Sequence, residues 1–370
     1  MMPTALLAIV LIACSGGVTD QRPSRPLVGA IRWDGWWQGN PWQRFLDPPA
    51  WRDRLPFYGR EPEQGRVEVV SDSQPIMERE ILYATEAGLD FWAICYYHPS
   101  SWPEAEKYNY GWRRFLAARA KHGLRYCFIL QGGQHMGPAS EWEKTARELA
   151  ARMRGPGYLK VLGNRPLLFV FSGEYLAPHF GSREKAREAF EVLARTCRSV
   201  GLGRPYVVAQ VFHAATGAEY VRTFGWDAIG AYSGPAHNEH REHTYQDLIG
   251  ANRYYRQSFA ATGLPVVPII NAGWDGRPRL VSSEQAKHYQ GGWYAQPTPD
   301  ELAYHVHETL DWVQANQRIC PARLALIYAW NETDEGGRLA PTLADGAARL
   351  EALRRSLSEE QRAEVAPPSR

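Results

Sequence analysis

The chain has 370 residues, which suits one α/β barrel with long loops, and its 44% hydrophobic and 22% charged residues exclude general disorder. The formal net charge of +2 offers no electrostatic case for nucleic acid or for an anionic membrane surface. The 14 Trp and 19 Tyr are flat amphipathic rings, fit either to pack a core or to carry sugar rings, and composition does not separate the two uses.

The chain opens on a short apolar run, Ala5 to Ala13, too short to span a bilayer as a mature helix. Leu11-Ile12-Ala13-Cys14 resembles a bacterial lipoprotein signal, which implies lipidation at Cys14 and export to the cell envelope or beyond. Residues 1–25 are then signal and tether. Met1 to Thr4 holds no Lys or Arg, a departure from the usual positive start of such signals, and a buried N-terminal helix is the alternative.

From residue 26 to 357 one alternation repeats eight times. Continuous apolar runs, suited to strands buried on both faces, fall at Leu27–Trp33, Leu89–Tyr96, Leu124–Leu130, Pro166–Phe171, Tyr206–Val211, Ala228–Tyr232, Leu264–Ile270 and Leu324–Trp330. Helix-period segments lie between them, near Pro75–Ala87, Trp112–His122, Glu141–Met153, Arg183–Val200, Gly217–Thr223, Thr244–Ala261, Pro299–Gln317 and Leu343–Leu357. Thr298-Pro299-Asp300-Glu301 and Ser140-Glu141-Trp142-Glu143 read as capping boxes. Gly88, Gly123 and Gly201 follow helix ends, where a left-handed residue is wanted. The pattern predicts a single-domain (β/α)8 TIM barrel of parallel strands, with an open doubly wound sheet as runner-up. No GxGxxG follows the first strand, so a dinucleotide site has no support. Cys95, Cys127, Cys197 and Cys320 lack CxxC spacing and read as buried free thiols. Residues 358–370 read as a frayed tail.

Such barrels carry their sites at the C-terminal ends of the strands. There the sequence offers Arg32, Trp33 and Asp34; Tyr96, Tyr97 and His98; Gln131, Gln134 and His135; Ser172 and Glu174; Gln210 and His213; Tyr232 and Ser233; Asn271, Trp274, Asp275, Arg277 and Arg279; and Trp330, Asn331, Glu332, Asp334 and Glu335. Rings stack on sugar C–H faces while amides, carboxylates and guanidinium groups take hydroxyls, so an oligosaccharide or polysaccharide ligand is expected. Trp33, Tyr97 and Tyr232 read equally as core rings. His98 is read as binding a hydroxyl, with a bond to a backbone carbonyl as the alternative, Asn331 as donating to a hydroxyl beside the scissile bond, and Asp275 as orienting a hydroxyl or pairing with Arg279. Glycoside cleavage needs two carboxyl groups, and Glu332 and Glu335, three apart beyond the last strand, supply them. Their bland reading is a pair of solvated loop carboxylates. Asp334 between them is expected outside the pocket or in a structural role. The stretch His237 to His243 matches no metal-ligand spacing, so neither metal nor cofactor is expected.

Trp330-Asn331-Glu332-x-x-Glu335-Gly336, shortly before Leu339-x-Pro341, resembles the W-N-E-W-x-E-G…L-E-P element of the glycoside hydrolase family 99 and WbsX-like group. Gly273-Trp274-Asp275-x-x-Pro278-Arg279 resembles its G-W-D-N-x-P-R element. Weaker likenesses are Gly163-Asn164-Arg165-Pro166, Val28-Gly29 and Gly88-Leu89-Asp90-Phe91. The resemblance implies a barrel acting on α-linked glycans, endo-acting and retaining, through participation of the sugar's own 2-hydroxyl. It gives Glu332 the role of base toward that hydroxyl, and Glu335 that of acid toward the leaving group and then of base toward water. Thr333 stands where the group has Trp, and Ala340 where it has Glu, so the subsite lining differs. A glycan-binding barrel without catalysis and a WbsX-like glycosyl-transferring enzyme are the alternatives. A monomer is expected, in contact with membrane only through the lipid.

Overall fold

In the computed structural model the described residues are 25–234, 239–281 and 291–358. Cys14, the signal and tether before residue 25, His237, and the tail from residue 359 lie outside them.

The strands are β1 (Leu27–Arg32), β2 (Phe91–Tyr96), β3 (Arg125–Gln131), β4 (Arg165–Phe171), β5 (Tyr206–Gln210), β6 (Ala228–Gly230), β7 (Val266–Val267 and Ile269–Asn271) and β8 (Leu324–Tyr328). All neighbours pair in parallel, and β8 pairs with both β1 and β7, so the sheet closes on itself. Closure rules out the open doubly wound sheet. The strands are buried almost throughout, as their unbroken apolar runs require. Strand β7 is split at Pro268, which has no N–H for a ladder. Its first half bonds β6 and its second half bonds β8, and the Pro268 carbonyl still accepts from Leu326 N at 3.0 Å.

Around the barrel run α1 (Gln74–Glu86), α2 (Tyr110–Ala117), α3 (Trp142–Arg154), α4 (Leu176–Phe180), α5 (Arg183–Ser199), α6 (Ala214–Phe224), α7 (Tyr245–Ala260), α8 (Arg277–Val281), α9 (Pro299–Ala315) and α10 (Ala348–Leu357). The short α4 and α8 escape a periodicity search because neither completes two turns. Thr298 caps α9 as expected, its side chain accepting from Glu301 N. Ser140 does not cap α3: it lies inside a 3-10 turn, Ala139–Glu141, and no side chain caps that helix. A second capping box, Thr244 with Asp247, opens α7. Gly88, Gly123 and Gly201 take φ of 85°, 87° and 82°. The four cysteines are free and buried.

Two elements beyond the barrel position the mouth. The long connection after β1 forms an antiparallel hairpin, Gly59–Glu63 with Arg66–Val69. Past β8, Asn331–Glu332 pairs with Gly337–Arg338, holding the turn Thr333–Glu335 between them.

A charged network outside the barrel fastens β1 to α1 and to the segment after β8. The buried Arg32 guanidinium contacts Glu80 at 2.9 Å and Asp34 at 2.8 Å, and Trp330 Nε1 donates to Glu80 at 2.8 Å. Removing one partner of a buried pair leaves an uncompensated charge. The Glu80→Ala variant is expected to lose about 3–5 kcal/mol in denaturant unfolding; a loss below about 1 kcal/mol would show that the network does not hold these elements.

Candidate active site

Paired residues of parallel neighbours project to the same face of the sheet. Tyr328 is turned into the barrel, because its hydroxyl contacts Glu335 beyond the strand ends. Its partner Asn271 therefore lines the interior too. On the other side, Gln131, Phe171, Gln210 and Gly230 are linked in one row by register. Phe171 packs against Tyr232 with ring centroids 4.8 Å apart, which places that row on the inner face. The amides of Gln210 and Asn271 are buried, and neither has a hydrogen-bond partner.

Above this row stand the carboxyl groups. Glu332 is 3% exposed; one of its oxygens accepts from Tyr232 Oη at 3.0 Å and the other from Arg279 Nη2 at 2.8 Å. Glu335 accepts from Tyr328 Oη and from Arg279 Nη1. Asp334 is fully buried and accepts from Arg279 Nε at 2.5 Å, so it takes the structural role and is not outside the pocket. One guanidinium thus bridges three carboxyl groups, and its planar fork presents separate N–H donors to each. Its charge also lies over the Trp33 and Trp42 rings, at 5.2 and 5.1 Å from their centroids.

Among the described residues, three carboxyl groups meet one cation here, in surroundings largely shielded from water. Burial pushes Glu332 up to about 8; Arg279 opposes the shift, while Glu335 and Asp334 add to it. Burial likewise raises Glu335, against Arg279 and with Asp334. Both groups are raised, and the two titrate as a coupled pair. Burial also lifts Tyr232 and Tyr328 well above the ordinary phenol range, so both remain hydroxyl donors.

The structure brings together Glu332, Glu335, Arg279, Tyr232 and Trp33. Trp274 joins them at half burial, its ring 5.7 Å from Tyr328. Tyr97 is half-buried in an aromatic wall with Trp102, Tyr108 and His135, and Tyr108 in turn meets Trp33.

Four of the expected residues have side-chain atoms engaged within the fold. Trp330 is fully buried behind the barrel, 5.2 Å from Trp92, because pairing in β8 ends at Tyr328 and the ring turns outward to Glu80. Asn331 spends its amide on the Trp33 backbone, donating to its carbonyl at 2.7 Å and accepting from its N–H at 3.0 Å. His98 Nδ1 is taken by Ser100 Oγ at 2.7 Å. Asp275 pairs neither with Arg279 nor with open space. It is bound by Arg54 and by Arg277 at 2.8 and 2.9 Å, and despite burial these cations hold it below the usual carboxylate range. Arg54, Trp42 and Tyr328 were not singled out in the sequence. Tyr328 was accessible through two-residue alternation from Leu326; Arg54 and Trp42 belong to a long loop with no periodic signal.

Three comparisons bear on this arrangement. A family described as glycosyltransferase WbsX matches residues 109–353. The uncharacterized protein WxcX of Xanthomonas campestris pv. campestris is 27% identical over 225 residues, covering 57% of this chain and 29% of WxcX, so the chain spans under a third of that relative. Among solved structures, a glycoside hydrolase-like protein superposes with TM-score 0.60 at 10% identity, covering 90% of this chain and 94% of that one. The glycoside hydrolase family 99 endo-α-mannosidase from Bacteroides thetaiotaomicron superposes with TM-score 0.53 at 15% identity, covering 91% and 97%. These superpositions establish a fold shared with glycoside hydrolase barrels.

The raised carboxyl groups make stability depend on pH in a definite direction. A carboxyl group whose folded value lies above its unfolded one costs nothing in acid, and destabilises increasingly as pH climbs from the unfolded value toward the folded one. Glu332→Gln removes that cost. The variant is expected to gain stability relative to wild type between pH 5 and 8 and to match it near pH 4 in urea unfolding. An advantage independent of pH would overturn the raised value.

Proposed function

This chain belongs to the WbsX family, and from that premise we propose that it is a glycoside hydrolase cleaving α-linked glycans with retention of configuration, Glu332 and Glu335 forming its carboxyl pair. The observation that carries the reading is the placement of both glutamates on one turn at the barrel mouth, bridged by Arg279 and raised by burial. Raised carboxyl groups lie nearer the range where protons are exchanged, and donation from Tyr232 and Arg279 to Glu332 favours the ionised form in which it acts as base.

In the proposed reaction Glu332, the deeper group, takes the proton of the sugar's 2-hydroxyl as that oxygen attacks C1. The bond from C1 to the leaving oxygen breaks, and Glu335 gives that oxygen its proton. A 1,2-anhydro sugar and the free leaving saccharide result. Water then adds at C1 and loses a proton to Glu335, while Glu332 returns its proton to the 2-oxygen. Two inversions at C1 give net retention. Glu335, whose side chain is 17% exposed, has the readier access to a departing saccharide. Tyr232 fixes the orientation of Glu332, and Tyr328 that of Glu335. The unclaimed amides of Gln210 and Asn271 offer donors and acceptors for sugar hydroxyls, and the half-buried Tyr97 and Trp274 offer rings.

The family description favours a second reading, glycosyl transfer. The same anhydro intermediate opened by a sugar hydroxyl instead of water would transfer a glycosyl group. Transfer from a sugar nucleotide fits less well, because a diphosphate would approach three carboxyl groups offset by one guanidinium.

The test is reducing-end release from α- and β-linked glycans by wild type, Glu335→Gln and Glu332→Gln. Release from an α-linked glycan is expected, with each substitution lowering it by about a hundredfold to ten-thousandfold. Undiminished release by either variant, or release confined to β-linkages, would sink the proposal. Products longer than the substrate would select the transferring reading.

A further inference from the structure

Charge is divided unequally between the two ends of the barrel. At the floor, where the strands begin, a groove of about 460 Å³ is lined by Arg25, Arg125, Lys160 and Arg323 and by no carboxylate. Backbone hydrogen bonds place these positions on adjoining turns: Leu27 N donates to Arg323 O at 2.9 Å, and Arg125 N to Asp90 O at 3.0 Å. Arg119, Lys121, Arg165, Arg204 and Arg318 occupy the other helix-to-strand turns and strand starts of the same end. The only acids in those turns are Asp90 and Asp227, each 2.6 Å from a cation of the set, Arg25 and Arg165 respectively. Among the described residues, these turns and strand starts hold nine cations against two carboxylates.

We propose that this floor is a docking surface for the anionic headgroups of a phospholipid bilayer. Charge complementarity is the first argument. Lys and Arg near an anionic bilayer each strengthen attachment, and the attraction fades within a Debye length of about 8 Å at physiological salt, so only the floor feels it. The mouth, with its carboxyl groups, lies at the opposite end of the barrel and is left facing away from the bilayer. Position is the second argument. The chain enters the described fold at Arg25, a lining residue of the groove, so the 24 residues before it, Cys14 included, join the barrel at this face. At the groove edge Leu162 is 47% exposed and offers an apolar contact beside the cations. Among the described residues no helix is long and apolar enough to cross a membrane.

The experiment is cosedimentation of the full chain carrying Cys14→Ser, which removes any acyl anchor, with phosphatidylcholine vesicles with or without phosphatidylglycerol. Binding to the phosphatidylglycerol vesicles alone, weakened by added salt, is expected. The triple variant Arg125→Gln, Lys160→Gln, Arg323→Gln should bind roughly a hundredfold more weakly, at about fivefold per cation. A control with the same net charge, Lys144→Gln, Arg147→Gln, Arg187→Gln on the outer faces of α3 and α5, should bind as the parent does. Thermal unfolding of both triple variants shows whether each is folded, and a floor variant that does not fold is replaced by single substitutions, each expected to lose about fivefold. Equal weakening by the control, or no preference for phosphatidylglycerol, overturns the proposal. Release by inorganic phosphate at an ionic strength where chloride has no effect also overturns it, in favour of a site for a soluble phosphate.

Discussion

The guanidinium of Arg279 is the group on which the mouth of this barrel depends. It is brought by α8, a short helix far along the chain from the turn after β8, and it contacts all three acidic side chains of that turn. Without a cation there, three buried carboxyl groups would repel one another at short range, in surroundings that screen charge poorly. With it, two of them remain raised and still able to exchange a proton. The helix that delivers it is tethered by Asp275, itself bound by Arg54 from the long loop after β1 and by Arg277. The acid–base properties of Glu332 and Glu335 therefore rest on contacts between three loops that the barrel brings together.

The barrel supplies the rest through alternation and register. Inward positions at the strand ends hold Gln131, Phe171, Gln210, Asn271 and Tyr328, and outward positions of the same strands pack on helices. Arg32 and Trp330 fall on the outward side, where Glu80 of α1 receives both. The amide of Asn331 closes the seam between the end of β1 and the hairpin after β8 through two bonds to the Trp33 backbone. These three residues fix where the mouth stands and leave the ligand to their neighbours.

The strands were legible because burial on both faces writes itself as unbroken apolar runs, and strand ends then located Glu332 and Glu335. Individual roles were less legible wherever a side chain is claimed by a distant segment. Asp275 is claimed by Arg54, Asn331 by the Trp33 backbone, Trp330 by Glu80 and His98 by Ser100; the residue type was read correctly as polar or aromatic, but the partner that consumes it is a property of the fold. The Ser140 cap failed for a local reason, since a 3-10 turn occupies the place where the helix was expected to begin. Net charge misled in another way. A total near zero removed any electrostatic case for a charged surface, yet a sum over the chain says nothing about how the fold sorts its charges.

That sorting has a physical origin in the barrel itself. Every strand runs the same way, so the helices that follow present their N-termini at the mouth and their C-termini at the floor. Aligned peptide dipoles make the mouth favourable to negative charge and the floor favourable to positive charge. The acidic turn at Thr333–Glu335 and the basic turns at Arg125, Lys160 and Arg323 lie where those fields favour each. Dipole compensation acts within the last helical turn and falls off beyond it, whereas Arg125, Lys160 and Arg323 lie in turns and strand starts past the helix ends, around an open groove. The parallel architecture makes such a polarised molecule inexpensive to build, and the excess of floor cations over what the helix ends require is the part that faces outward to a partner.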